Sequence, residues 1–257
     1  MNDITTKPLR GMPLFDSQTD LAGEICAALD RAGEVLQAGD VIVVAQKIVS
    51  KREGRTVSIS DVRAGEEAQR VASQTGRPAQ LVQLIMDESS ELLRANPAAI
   101  VACHRTGHVL ANAGIDASNV EGGDSGTLLL WPQDPDASAR AIRDEVAAIT
   151  GVRAAVVIAD SMGRAWRVGT VGTAIGCAGL TVVEDKRGTG QDLFGRVLQA
   201  TQIAIADSVA AMAALAMGEG AEGTPAALVR GVGQWVSDDD GLGAASGLRP
   251  VAQDMFR

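Results

Sequence analysis

The stretch from Val156 to Leu180 constrains the fold of this chain more than any other segment. The apolar residues Ala154 to Ile158 lead into it and predict a buried strand. Asp160 and Ser161 follow where we expect that strand to meet a loop. Glycines then recur from Gly169 to Gly179, and small residues there allow backbones or a ligand to approach closely. The stretch therefore predicts a buried strand with an oxygen-rich end and a closely packed continuation.

The polar residues of this stretch are compatible with two interpretations. A carboxylate beside a hydroxyl, as in Asp160 and Ser161, suits a hard divalent cation, which prefers oxygen ligands. Arg164 and Arg167 follow closely and can face a phosphate or a carboxylate. The functional interpretation is a phosphate-and-metal site, and the structural one is a strand end with a capping Asp and exposed arginines. These residues alone leave both interpretations open.

Charge and composition narrow the class of ligand. The chain has 257 residues, enough for one large domain or two small ones, and 46% of them are hydrophobic. A net charge of -9 argues against binding to nucleic acid, and the low aromatic content of 2% leaves little to stack on bases. A nucleotide ligand remains possible because bound cations can bridge acidic side chains to phosphates.

Cysteine usage and hydropathy indicate a compartment. Cys26, Cys103 and Cys177 are widely spaced and form no CxxC pair, so we expect neither a zinc site nor a disulfide framework. Buried free thiols fit a reducing cytoplasm. The sequence predicts no signal peptide and no segment that enters a membrane. We therefore expect a soluble cytoplasmic protein.

A basic segment follows a second predicted strand, Val41 to Ala45. It runs from Gln46 to Arg55 in an otherwise acidic protein. Lys47 and Lys51 are four residues apart and would share one face if the segment is helical. The functional interpretation is a clamp for the phosphates of a ligand, which we favour because the segment lies past the carboxyl end of a buried strand. The alternative is an ordinary solvated loop.

Two further polar segments are candidates for a ligand site. Asp116 and Asn119 can line a turn and meet a cation or a base edge, although an Asx turn is a common alternative. Residues Gly218 to Gly223 match G-x-G-x-x-G, but a predicted helix precedes them, which excludes a Rossmann fingerprint. This Gly-rich turn can still present backbone N–H groups to phosphates and the Glu219 carboxylate to a metal.

Hydrophobic periodicity and breakers predict the remaining elements. His104 and His108 fall in a strand-like pattern, so we do not interpret them as metal ligands. The acidic and Gly-rich tail, residues 238–247, is expected to be mobile and solvated. The first predicted helix is capped by Ser17 or Thr19 and ends near Ala32. The other predicted helices are Asp61–Gly76, Arg77–Ala95, Asp134–Thr150 and Leu193–Met217. The further predicted strands are Ala98–His104, Thr106–Ala111, Thr127–Trp131, Leu180–Val183 and Ala226–Val229.

Five motifs, in this order, are similar to those of a known family. They read VVAQKIVSKREGR, LANAGIDASNV, ADSMGRAWRVGTVGTAIG, DLFGR and MGEGAEGTPAALVRG, and they resemble the coenzyme F-420-0:L-glutamate ligases in their stand-alone form. The resemblance covers Gly11 to Gly231. It implies an α+β fold with mixed, largely antiparallel sheets and flanking helices, a single domain over residues 1–257 with room for two subdomains, and an intertwined homodimer.

The resemblance also implies an activity. That activity is the GTP-dependent addition of L-glutamate to coenzyme F-420-0, and then of γ-linked glutamate to the product, through an acyl phosphate. The implied cations are two divalent ions, Mg or Mn, and a monovalent K. Two alternatives stay open: another nucleotide-dependent carboxylate–amine ligase, and a nucleotide-binding protein without turnover.

Site residues are implied by the same motifs. One metal is expected at Asp116 and Asp160 and a second at Ser161 and Glu219, with Asp160 and Lys51 assigned to catalysis. This chain has Gln46 where many members of the resembled family have Ser or Thr. The nucleotide-binding positions implied by the resemblance are Gly11, Met12, Pro13, Leu14, Gln46, Lys47, Lys51, Asn119, Met217, Gly218, Glu219, Gly220, Ala221, Glu222, Gly223 and Thr224.

Overall fold

A mixed sheet of five strands forms the centre of the computed structural model, which describes residues 3–254. Its strands are β1 (Thr5–Pro8), β2 (Val41–Ala45), β8 (Ala155–Gly163), β9 (Thr170–Ala178) and β12 (Ala226–Arg230). The strand order is β1–β12–β2–β8–β9. The pair β2–β8 is parallel and the other three neighbouring pairs are antiparallel. This confirms the expected α+β class.

Helices cover both faces of this sheet because its central strands are apolar on both sides. In β2, Ile42 and Val44 belong to one buried cluster and Val41 and Val43 to another. Successive side chains of a strand point to opposite faces, so a continuous apolar run requires two covering layers. The first cluster includes side chains of α1 (Leu21–Arg31) and α5 (Pro135–Thr150), and the second includes those of α6 (Ile205–Met217).

A third buried cluster lies in the middle of the chain. It packs two helices against a three-stranded antiparallel sheet, β4–β5–β6, and against the antiparallel pair β3–β7. The elements here are β3 (Thr56–Ser58), α3 (Glu66–Thr75), α4 (Ala79–Asp87), β4 (Ser89–Ala95), β5 (Ile100–His104), β6 (Val109–Ala111) and β7 (Thr127–Leu129). Within residues 3–254, no helix combines the length and the apolar character needed to cross a bilayer.

The Gly-rich stretch forms an antiparallel hairpin of β8 and β9. A side chain at Gly172 would meet the Ala210 carbonyl of α6 at 2.5 Å, and one at Gly176 would meet the Pro135 carbonyl of α5 at 2.3 Å. Glycine therefore allows the close backbone approach that the sequence predicts. The position of the strand end was wrong: Asp160 and Ser161 lie inside β8, which continues to Gly163 because it stays paired with β9.

Three predicted helices are too long. The helix predicted over Asp61–Gly76 begins only at Glu66. The helix predicted over Arg77–Ala95 ends at Asp87, and β4 follows from Ser89, so the expectation that Glu88 to Glu91 lie within a helix is wrong. Pairing of β4 with β5, with two register shifts, overrides the helical spacing of the leucines. The helix predicted over Leu193–Met217 begins only at Ile205. Turns and β11 (Gln202–Ala204), which pairs with β10 (Val183–Asp185), precede it.

The first helix cap and the tail also differ from expectation. Asp20, not Ser17 or Thr19, caps α1, because its carboxylate accepts the Gly23 N–H at 3.1 Å. The tail is packed rather than merely solvated. The buried Arg143 side chain donates to the carbonyls of Ser237 and Asp238 and to the Asp240 carboxylate.

Candidate active site

The candidate site forms where two parallel strands end side by side. Ala45 of β2 is in register with Ala159 of β8. Asp160 follows Ala159, and the helix α2 (Gln46–Arg52) follows Ala45 without an intervening loop. Because carboxyl ends of parallel strands meet at one edge of a sheet, the acidic and the basic segments are brought together there.

Lysines of α2 contact the turn that carries Asp116. Lys47 donates to the Asp116 carboxylate and, at 3.0 Å, to the Ser118 carbonyl. Lys51, one helical turn later, donates to the Asn119 carbonyl at 2.7 Å. The helical spacing thus places both ammonium groups on one face, as the sequence predicts. Burial and the neighbouring charge of Lys47 lower the pKa of Lys51.

Asp116 is held by its backbone as well as by its side chain. Its N–H and carbonyl bond to Leu129 at 3.1 and 2.8 Å, which fixes the turn against β7. Burial opposes ionisation of the carboxyl group, but hydrogen bonds from Lys47 and Ser118 outweigh it, and the pKa of Asp116 is lowered. The Asp116 carboxylate is therefore a stable anion at neutral pH.

Asp160 lies in a different electrostatic environment. Its two carboxylate oxygens accept the Trp131 indole N–H and the Ser161 backbone N–H, each at 2.8 Å. Burial raises the pKa of Asp160, and the charge of Asp116 raises it further, although these two hydrogen bonds and Lys47 act in the opposite direction. A nearby cation would reverse this shift, because positive charge favours the ionised carboxylate.

Ser161 connects β8 to the Gly-rich turn after α6. Its hydroxyl donates to the Glu219 carboxylate at 2.5 Å. The same turn accepts the Asn119 amide N–H at the Gly220 carbonyl, at 3.2 Å. A helix precedes this turn, which agrees with the exclusion of a dinucleotide fingerprint. Segments that are distant in sequence therefore meet around Asp160.

Some predicted residues are used differently. The Gln46 amide is buried and donates to the Ser50 hydroxyl and the Leu130 carbonyl. Its nitrogen is therefore hydrogen-bonded within the protein interior. Leu14 is 95% exposed, and the hydrogen bonds described for residues 3–254 do not connect the segment Gly11–Leu14 to the other site residues. In the same part of the chain, no three His, Cys, Asp or Glu side chains form a single metal cluster. Of the four predicted ligands, Ser161 and Glu219 contact each other directly, and Asp116 acts on Asp160 through its charge.

Comparison with known proteins decides the family. The model of the F420-0:gamma-glutamyl ligase family matches residues 11–231. The chain belongs to this family. A Coenzyme F420:L-glutamate ligase of Methanothermobacter thermautotrophicus is 44% identical over 249 residues, which cover 97% of each chain. Proteins of the same name are 43% identical in Archaeoglobus fulgidus, covering 88% of this chain and 86% of the relative, and 39% identical in Methanocaldococcus jannaschii, covering 86% of each.

The oxygen donors of this F420-0:gamma-glutamyl ligase family member suit hard divalent cations. Asp116, Asp160 and Glu219 offer carboxylates and Ser161 a hydroxyl, and such cations prefer oxygen ligands. Burial is the main cause of the raised pKa of Asp160, and the charge of Asp116 adds to it. The chemistry of these oxygen donors therefore fits a divalent cation.

Sequence reasoning missed two residues of the site. Ser118 donates its N–H and hydroxyl to Asp116, each at 2.8 Å, and completes the Asx turn that was weighed as an alternative. Trp131 looked like an ordinary strand residue but donates to Asp160. Its rarity was the available signal, since the chain has three Trp and no Tyr.

Proposed function

We propose that the chain is a GTP-dependent ligase that adds L-glutamate to coenzyme F-420-0 and then γ-linked glutamate to the product. The names of the relatives support the acceptor and the amino acid. The observation that carries the proposal is the meeting of Lys47, Asp116, Asp160 and Glu219 at one sheet edge, through the contacts described above. Cationic and anionic oxygen-donor groups side by side are what a nucleotide with bound cations requires.

The proposed reaction has two steps. The acceptor carboxylate takes the γ-phosphoryl group of GTP, which releases GDP and leaves an acyl phosphate. The amine of glutamate then attacks the acyl carbon, the carbon–nitrogen bond forms, phosphate leaves with the carbon–oxygen electron pair, and the amine loses a proton. Phosphoryl transfer depends mainly on positioning and charge neutralisation, so little covalent participation by the protein is needed.

Each residue of the site has a proposed role. Asp116 and Asp160 would hold one divalent cation and Ser161 and Glu219 a second, Mg or Mn, and a monovalent K would be a further cation. Such ions, when bound, would supply neutralisation of phosphate charge. Lys47 and Lys51 orient phosphates beside these carboxylates. The turn from Met217 to Thr224 contributes backbone N–H groups, and its shape is fixed because Thr224 donates to the Met217 carbonyl at 2.5 Å.

The acceptor is proposed to approach from the tip of the β8–β9 hairpin. Arg164 and Arg167 lie there and are exposed, so both can meet acidic groups of the deazaflavin precursor. The loop Gly11–Leu14 remains a proposed nucleotide contact.

The test is turnover by the full chain with GTP, coenzyme F-420-0, L-glutamate and Mn²⁺, measured by mass spectrometry of the product and by phosphate release. Asp160→Asn should lower the rate by on the order of 10³-fold or more, because charge stabilisation by a metal is worth several kcal/mol and each 1.36 kcal/mol is tenfold. Asp30→Asn, at an exposed position of α1, is the matched control. Normal turnover by Asp160→Asn would remove this residue from the mechanism, and glutamate transfer only to other acceptors would refute the proposed substrate.

An intertwined homodimer is proposed as the working form. Large apolar side chains are exposed on two loops: Trp166 and Val168 at the hairpin tip, and Leu193 and Phe194 between β10 and β11. Exposed apolar groups of this kind are typical of association surfaces. Sedimentation analysis should give the mass of a dimer, and Val168→Asp should shift it toward the monomer. A monomeric wild-type chain with full activity would contradict this proposal.

A further inference from the structure

Trp131 is the largest fully buried side chain among the described residues, and it contacts the candidate site directly. Its indole N–H donates to one oxygen of Asp160, and the Ser161 backbone N–H donates to the other, each at 2.8 Å. An ionised carboxylate has about four lone-pair positions, so each oxygen keeps one for a further partner. Two donors from different elements therefore set the orientation of the Asp160 carboxylate.

The same indole ring contacts the turn that carries Asp116. A side chain at Gly114 would stand 2.3 Å from the Trp131 indole nitrogen, so only glycine allows this approach. The backbone of Gly114 also has a φ of +73°, which glycine adopts without strain. Two residues later, Asp116 pairs with Leu129 of the strand that leads to Trp131. The ring thus contacts both the Asp160 carboxylate and the backbone before Asp116.

Two histidines hold the ring on its other sides. The His104 ring lies 4.7 Å from the Trp131 ring, centre to centre, and the His108 ring 5.5 Å from it in an edge-on arrangement. The Thr106 hydroxyl lies 2.9 Å from a ring nitrogen of each histidine. Because all three rings are buried and mutually packed, the indole has little freedom to move.

We infer that Trp131 is a positioning residue that fixes the separation and orientation of Asp116 and Asp160 for one divalent cation. The inference rests on the proposed function, which assigns these carboxylates to that cation. Partners that hydrogen-bond to metal-binding carboxylates orient them, and their loss typically weakens metal affinity about 10–100-fold. Trp131 acts on the cation only through the carboxylates and does not touch the reacting atoms.

The test is a titration of the full chain with Mn²⁺, in which binding is measured from the electron paramagnetic resonance signal of the free ion. Trp131→Phe keeps an aromatic ring but removes the N–H, and it should weaken Mn²⁺ binding about 10–100-fold. The Mn²⁺ concentration for half-maximal turnover should rise by a similar factor, with the KM for L-glutamate unchanged. Trp235→Phe is the matched control, since its N–H donates to Glu184 at 3.2 Å, outside the site, and it should bind Mn²⁺ as the wild type does.

The outcomes separate this inference from the proposed function. If Asp160→Asn loses Mn²⁺ binding while a folded Trp131→Phe binds normally, the inference is wrong and the cation assignment stands. If Asp160→Asn itself binds normally, both are wrong. If Trp131→Phe does not fold, the double variant Trp166→Phe/Trp235→Phe leaves Trp131 as the single fluorophore. Paramagnetic Mn²⁺ should quench its emission and Mg²⁺ should not, and an absence of quenching would overturn the inference.

Discussion

Arg143 allows a prediction whose magnitude follows from the structure. Its side chain is fully buried, and it donates to the Ala154 carbonyl at 3.0 Å and to the Asp240 carboxylate at 2.7 Å, besides two carbonyls of the tail. Arg143→Met removes the cation, so the buried Ala154 carbonyl and the Ser237 carbonyl lose this donor, whereas Asp240 keeps its ion pair with Arg153. Leaving a buried acceptor without its partner costs about 1–3 kcal/mol. At about 2–4 °C per kcal/mol for a chain of this size, the melting temperature should fall by about 2–12 °C.

Arg153 is the matched control for this prediction, because it pairs with the same Asp240 carboxylate at 2.8 Å but has a 37% exposed side chain. Arg153→Met should cost no more than about 1 kcal/mol, as exposed ion pairs contribute little. The assay is denaturant unfolding, with hydrogen exchange of the amides from Ser237 to Asp240 as a local measurement. Equal losses of stability in the two variants would refute the argument that Arg143 stabilises the tail more than Arg153 does because it is buried.

Two further predictions concern stability. Burial opposes ionisation of Glu88, but the hydrogen bonds and charge of Arg55, together with the neighbouring Arg105, outweigh it and lower the pKa to about 2 from 4.5. The ionised Glu88 should contribute on the order of 3 kcal/mol to the free energy of unfolding above pH 4.5, and this contribution should be lost as the pH falls through 2. The difference in stability between wild type and Glu88→Gln should therefore shrink between pH 6 and pH 3. A difference that does not depend on pH would contradict this prediction. Asp20→Ala should lower the free energy of unfolding by about 1 kcal/mol, measured by thermal unfolding, because it removes the cap of α1. Ser17→Ala should have almost no effect. Equal losses in the two variants would contradict the assignment of Asp20 as the cap.

Local chemistry explains which elements were predictable. The run Val41–Ala45 is apolar throughout and is bounded by a turn, and its predicted limits agree with those of β2. The start of α5 is marked by Asp134, whose carboxylate accepts the Ala137 N–H, and by Pro135 in the first turn. Such caps are encoded by neighbouring residues and need no tertiary information. Ser89–Ala95 was not predictable in this way, because only pairing with β5 makes it a strand.

The candidate site was predictable only in part for the same reason. Lys47 and Lys51 could be assigned to one face from their spacing, and Asp160 from its place after a buried run. The contact between Trp131 and Asp160 depends on the segment after β7 meeting β8 of a different sheet, which no local pattern records. The amide of Gln46 likewise turns inward because Leu130 lies beside it.

The position of β2 has a consequence for synthesis of the protein on the ribosome. Both of its sheet neighbours, β8 and β12, leave the ribosome after it, since Val41 pairs with Ala155 and Val229. At ~5–20 residues per second, this apolar strand waits on the order of ten seconds with both hydrogen-bonding edges open. The nascent chain is therefore most vulnerable to aggregation in this interval, and a holdase chaperone that recognises short aliphatic segments would find its binding site in Val41–Ala45.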